Sequence, residues 1–299
     1  LKSKTRTELL LLFTVLIWAL NFTVTKFSLG SVDPMSFNSF RFLLAVITMY
    51  LILRRSGEEL RVHKGDWPHI IGLGILGHLL YQVLFIIGLD LTYAANGAIM
   101  LGTTPVWVAL ISRIFMGQTL RWIAIAGIVT AVVGVWLIME GSATGLTLQA
   151  ETILGDFTML LSAVVFGLYT LLSRPLLKRY SPIQLSTLIM LTGGVGVVLA
   201  GIPWVVQLDF TEVSAAAWGG IVYSGVLSIA VAYMLWNYGI RSIGSVRTST
   251  FQNLVPVMGL VFGVLLLREP LLPLQYVGAG LTVIGIILAR KAQAPPSRK

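Results

Sequence analysis

Residues 67–89 read WPHIIGLGILGHLLYQVLFIIGL, and residues 218–240 read WGGIVYSGVLSIAVAYMLWNYGI. Neither stretch contains Asp, Glu, Lys or Arg, and each is 23 residues long. About 20 apolar residues are enough to cross a bilayer as a helix, whose backbone groups are satisfied internally. With the leading tryptophans Trp67 and Trp218 aligned, Gly74 falls on Gly225 and Gly88 on Gly239, an offset of 151. The register continues outward, pairing Pro105 with Pro256, Gly127 with Gly278 and Gly134 with Gly285. Upstream the offset is 148, pairing Glu8 with Asp156, Lys26 with Arg174 and Pro34 with Pro182. A three-residue slip after the second apolar run accounts for the change. One membrane-spanning pattern is thus written twice.

The rest of the 299-residue chain fits that reading. Charged residues are 11% of the total, against roughly 25% in a soluble domain. Mean hydropathy is +0.88. Ten apolar runs are expected to span: 9–28, 34–53, 67–89, 94–115, 120–139, 155–173, 182–204, 216–240, 246–267 and 271–289. The basic N-terminus before the first run resembles a signal peptide, but no small-residue cleavage site follows, so the run is expected to be retained. This composition excludes a soluble enzyme, a disulfide scaffold and a disordered tail protein. The absence of Cys also removes thiolate chemistry and Cys-ligated zinc.

Numbering the loops alternately puts all but Lys26, Arg41 and Arg268 of the 21 cations on one side, with most acids opposite. Basic loops remain cytoplasmic, so both termini are expected inside. The net charge of +9 is a topology signal and calls for no nucleic-acid partner. Residues 1–145 form one repeat of five spans, and 146–299 form a second that ends in a short basic tail. Five is odd, so the second repeat enters the bilayer upside down. Such inverted repeats are typical of secondary transporters, whose substrate sits near the midplane.

Two five-span units, an acid opening each and a base closing each first helix, and mid-helix prolines in spans four and nine resemble EamA-type members of the drug/metabolite transporter superfamily. So do Gly117-Gln118-Thr119-Leu120 and Arg268-Glu269-Pro270-Leu271, although Gln118 stands where that family usually has Glu. The resemblance covers almost the whole chain, and amino-acid exporters, including bacterial aromatic amino acid exporters, are the most similar branch. It implies an all-α integral membrane protein of ten transmembrane helices, built as two inverted five-helix repeats around a central cavity. Spans 1, 3, 4, 6, 8 and 9 would line that cavity. It also implies a bacterial inner-membrane location, no cofactor and no metal, and a monomer or homodimer.

Polar side chains in mid-membrane are costly unless paired or wet, so they should face inward. Span three carries His78, Tyr81, Gln82 and Phe85 on one helical face. Span one carries Thr14, Trp18, Asn21 and Thr25, and span six Ser162, Phe166, Tyr169 and Ser173. Span four offers Asn96, Met100, Thr103 and Trp107, and span nine Gln252 and Asn253. Span eight has Ser224 and Ser228 on one face and Tyr233, Trp236 and Asn237 on nearly the opposite one, so only one face is expected to reach the cavity. The substrate-binding set is therefore Trp18, Asn21, His78, Tyr81, Gln82, Met100, Tyr169, Ser224, Gln252 and Asn253. Pro105 and Pro256 each remove a backbone donor at mid-helix and are read as gating hinges.

Lys26 and Arg174 are expected to snorkel to headgroups. Arg41 is expected to lie shallow and to meet a helix C-terminus or an acid in preference to a substrate carboxylate. Gly127, Gly134, Gly278 and Gly285 read as smooth faces for close helix contact, between repeats or between protomers. All 12 acids lie in loops or at span ends, which leaves a pocket without fixed charge at its centre. A neutral or zwitterionic substrate suits such a pocket. The chain is thus expected to export amino acids, including aromatic ones, by facilitated alternating access, with His78 as the candidate for proton coupling. The alternative within transporters is an exporter of drugs, nucleosides or other small metabolites. An intramembrane Ser224–His78 hydrolase is the rival from another class, but it lacks a Gly-x-Ser-Gly motif.

Overall fold

A computed structural model describes residues 2–92, 94–117, 121–140, 153–267 and 273–292. Among these, all regular structure is helical. In chain order the helices are α1 (Lys2–Ser28), α2 (Pro34–Ser56), α3 (Lys64–Leu91), α4 (Ala94–Gly102), α5 (Thr104–Met116), α6 (Trp122–Glu140) and α7 (Ile153–Leu176). They continue with α8 (Pro182–Val205), α9 (Ala215–Ile243), α10 (Ser245–Ser249), α11 (Leu254–Leu267) and α12 (Pro273–Ala292). Six of these, α1, α2, α3, α7, α8 and α9, are long and apolar enough to cross a membrane, and three shorter apolar helices accompany them.

Local chemistry sets the helix ends. Asp33 caps α2 by accepting from the backbone N–H groups of Met35 and Ser36, Pro34 occupies the first turn, and Gly57 closes the helix at φ 72°. Ser181 and Gln184 form a reciprocal capping box at the start of α8. Ser214 caps α9.

The interior of the bundle mixes apolar and polar side chains, and much of its surface is apolar. Leu9, Phe13 and Leu16 of α1 are exposed, whereas Thr14, Trp18, Asn21 and Thr25 are buried. In α2, Leu43, Ile47 and Leu51 face outward and Ser39 and Arg41 inward. In water this would be upside down; in lipid it is the arrangement that satisfies both surfaces.

α6 and α12 pack along their lengths through the expected glycines. A Cβ on Gly134 would meet the Gly278 carbonyl and Thr282, and one on Gly285 the Gly127 carbonyl and Ala131. The smooth faces therefore meet within one chain. The Gly117 and Arg268–Leu271 signatures lie, apart from Gly117 itself, outside the described residues.

Three helices leave α geometry in mid-course. π turns occupy Ile75–Leu80 of α3, Met190–Gly194 of α8 and Ser224–Val231 of α9. Their i→i+5 bonds take more residues per turn, so side-chain faces drift around the axis.

Candidate functional site

The two proline breaks are built from the chain outward. Pro105 ends α4 at Gly102, and the Leu101 carbonyl it leaves free accepts from Thr104 Oγ1 at 2.7 Å. Trp107 Nε1 donates to Thr103 Oγ1 at 3.1 Å. At the equivalent place in the second half, a 3-10 turn (Thr250–Asn253) separates α10 from α11, just ahead of Pro256. Breaks of this kind expose backbone polar groups to a protein interior.

Around the breaks sits an aromatic box. Trp18 lies 5.0 Å from Trp236, 5.7 Å from Phe166 and 6.0 Å from Tyr233 between ring centres, and donates Nε1 to the Ser228 carbonyl at 3.0 Å. Tyr81 lies 4.9 Å from Phe166. Tyr169 donates to Asn237 Oδ1 at 3.1 Å, and Asn237 Nδ2 donates to Ser186 at 2.9 Å.

Beside the box is a cavity of about 30 Å³, lined by Trp18, Asn21, Phe22, Arg41, Tyr81, Gln82, Phe85, Leu101, Ser228, Ile229, Tyr233 and Gln252. That is room for a water or two. A molecule larger than that must be admitted by side-chain or helix movement.

The cavity wall carries a cation. Arg41 is 1% exposed. Its Nε donates to Asn38 Oδ1 at 2.9 Å, one Nη to Gln82 Oε1 at 2.8 Å and the other to Ser224 Oγ at 3.2 Å. Gln82 Nε2 in turn donates to Tyr233 Oη at 2.8 Å. Phe37 and Phe85 present ring faces to the guanidinium, with centres 5.2 and 5.7 Å from its carbon. The expectation of a shallow Arg41 and an uncharged centre is thereby corrected. Residues 35–39 at the start of α2 are themselves buried, so a position two turns past Pro34 already lies deep.

Of the expected contacts, Trp18, Asn21, Tyr81, Gln82 and Gln252 reach the cavity together. Ser224 stands behind Arg41. His78 is fully buried among Phe42, Tyr169 and Tyr233, with neither ring nitrogen hydrogen-bonded, and does not line the cavity. Tyr169 and Asn253 are buried outside the lining, and Met100 is half-buried against the core. The Asn96 side chain lies outside the described residues. Phe22, Phe85, Leu101, Ser228, Ile229 and Tyr233 complete the wall. Ser228 and Tyr233, placed on nearly opposite faces by a regular helix, both line it: Ser228 lies within the π turn, which runs on to Val231 and turns the faces toward each other.

The two ends of the bundle are tied. At one, Lys26 Nζ donates to the carbonyls of Leu89, Asp90 and Thr92 at 2.9–3.0 Å, capping α3 where snorkelling was expected. Thr92 donates to Asp156 at 2.6 Å. At the other end, Asp66 accepts from Arg179 at 2.5 Å and Tyr180 at 2.6 Å, and Ser181 donates to Glu58. Burial, and then the hydrogen bond to Asp66, raise the Tyr180 phenol above its ordinary value.

Comparison with known proteins bears on the family and the fold. The model of the EamA-like transporter family matches residues 5–140 and again 153–290. An uncharacterized transporter of Bacillus subtilis, YyaM, is 29% identical over 272 residues, covering 90% of this chain and 88% of that one. A protein of Streptantibioticus cattleyicolor named "Probable terminal-alkyne amino-acid exporter" is 28% identical over 281 residues, covering 94% and 92%. A crystal structure at 20% identity superposes with a TM-score of 0.78 over 95% of this chain and 96% of the other, a likeness of fold alone.

Proposed function

The chain belongs to the EamA-like transporter family, and on that premise we propose that it exports amino acids, including aromatic and other neutral ones, by alternating access across a bacterial inner membrane. As a member of that family it is a transporter of the membrane and not an enzyme. The observation that carries the proposal is the cavity, where Asn21, Gln82 and Gln252 share a lining with Trp18, Phe22, Tyr81, Phe85 and Tyr233. Amide groups suit the ends of a zwitterion and aromatic faces suit its side chain. The Streptantibioticus relative named as an amino-acid exporter supports the same class.

The architecture behind the proposal is ten spans in two inverted repeats of five, 1–145 and 146–299. The two proline breaks divide one span in each half, α4 with α5 and α10 with α11. Lys26 caps the end of α3, and its repeat mate Arg174 lies 3.7 Å from where a Cβ on Gly244 would sit, beyond the end of α9. Both termini are placed in the cytoplasm by the cationic loops, and the Asp66–Arg179 tie then closes the cytoplasmic end. Pro105 and Pro256 serve as hinges between states. The working assembly is a monomer or a homodimer.

Labelling tests the topology. The protein has no native Cys, so Lys64→Cys and Glu212→Cys, both at exposed positions, each give one reactive site. In intact cells an impermeant maleimide is expected to modify Glu212→Cys and to spare Lys64→Cys; modification of both would undo the inverted arrangement.

Flux tests the cargo. Proteoliposomes holding the protein are expected to release loaded radiolabelled Phe, Trp, Met or Thr faster than empty liposomes, with saturation. The cavity-lining residues include no carboxylate, which supports a facilitative mechanism. Accumulation against a gradient driven by pH would overturn that, and flux of nucleosides or drugs with none of amino acids would overturn the cargo.

A further inference from the structure

Arg41 presents a problem the fold does not solve by itself. Removing a cation from water costs several kcal/mol even after relaxation, and proteins ordinarily bury one against a carboxylate. Among the described residues, Arg41 has no such partner. Ion pairs that do form, such as Arg61–Glu59 and Arg179–Asp66, involve loop residues. Its three acceptors, on Asn38, Gln82 and Ser224, are all neutral. A guanidinium has five N–H donors; three are used, leaving one on each terminal nitrogen. An apolar residue of similar volume would be cheaper at this position if packing were its only duty.

The opposite chemistry lies on the same wall. Asn21 Oδ1 and Gln252 Oε1 are buried acceptors with no hydrogen-bond partner, and both residues line the cavity with Arg41. Orphaned buried acceptors are rare and need a reason. Spare donors on Arg41, spare acceptors on Asn21 and Gln252 and aromatic side chains in one lining match a molecule with an anionic carboxylate, an ammonium group and an apolar side chain.

We infer that Arg41 is the carboxylate anchor of the transport site and that the amide oxygens of Asn21 and Gln252 receive the cargo's ammonium group. This rests on the amino-acid reading above and narrows it. The carboxylate must be free, and amides, esters and decarboxylated amines of the same side chain are excluded. Binding supplies the charge that Arg41 lacks, and the cargo's own desolvation is offset in the same step.

Competition against the wild-type protein tests this without any variant. In proteoliposomes transporting radiolabelled phenylalanine, unlabelled phenylalaninamide and phenethylamine are expected to compete about tenfold or more weakly than phenylalanine, as for the loss of a charge-assisted hydrogen bond. Arg41→Gln is expected to slow phenylalanine flux about tenfold or more, and Arg41→Lys, which keeps the charge but not the fork, less severely. Equal competition by the carboxamide, or wild-type flux through Arg41→Gln, would overturn the anchor while leaving amino-acid export standing. No flux of any amino acid through the wild-type protein would overturn the cargo reading and the anchor with it.

Discussion

A Gly193→Val protein is expected to be lost from the folded fraction, and even Gly193→Ala should lower the unfolding midpoint markedly. The reason is backbone against backbone. A Cβ built on Gly193 would overlap the carbonyl of Gly74, and one on Gly74 would overlap Thr192 and approach the Gly193 nitrogen to 2.7 Å. Two helices cross here where both depart from α geometry, Gly74 directly before the π turn of α3 and Gly193 within that of α8. No flexible side chain can yield, because the colliding atom is a carbonyl of the partner helix. Overpacking of this kind costs about 1–3 kcal/mol and more when backbone must shift. Gly72→Ala is the control. Nothing lies within 4 Å of its added Cβ, so relief of unfolded-state entropy should leave stability unchanged or raised by about 0.4–1 kcal/mol. Thermal unfolding in detergent, followed by the monodisperse fraction, reads both. A Gly193→Ala protein as stable as Gly72→Ala would show that the helices do not meet so closely.

That crossing marks the boundary of what the sequence makes legible. Hydropathy and the repeated register of Trp67 with Trp218, Gly74 with Gly225 and Pro105 with Pro256 point to a helical membrane transporter, because span length and bilayer thickness leave few alternatives. The proline breaks are legible for a similar reason: a missing donor acts locally, whatever the tertiary context. The π turns are not. Nothing in Ser224–Val231 demands i→i+5 bonding, so a regular helix sends Ser228 and Tyr233 to different faces, whereas the wider turn brings both to the cavity. Lys26 illustrates a second limit. At a span end its charge suits a headgroup equally well, and only the arrival of the α3 carbonyls decides between the two. His78 illustrates a third. Its helical face was assigned with Tyr81 and Gln82, but one turn of depth separates a cavity contact from a residue packed behind Tyr233. Arg41 was visible as a charge inside a span. Its depth depends on how the start of α2 is swallowed by the bundle, a tertiary fact with no local signal.

The same arginine yields a second large effect, this one on stability. Gln82 joins Arg41 to Tyr233, accepting from one with Oε1 and donating to the other with Nε2, each at 2.8 Å. Gln82→Leu removes both bonds. Tyr233 loses a neutral donor, at a cost of about 1 kcal/mol, but Arg41 is left a buried cation with a further donor unmet, at about 1.5–3 kcal/mol. If the charge is the source of the penalty, removing it should restore what was lost. Arg41→Met with Gln82→Leu replaces a buried polar network by apolar side chains of comparable reach, a change that is often neutral or stabilising for buried ions. The double variant is therefore expected to unfold at a higher temperature than Gln82→Leu alone, with a coupling of about 0.5–3 kcal/mol between the two sites. Simple addition of the two single effects would mean that Gln82 does not support the guanidinium. Restored stability would also separate two roles in one experiment: the double variant should fold well and yet fail to carry phenylalanine. On that outcome the bundle would not need its buried charge in order to stand, whereas the cargo site would require it.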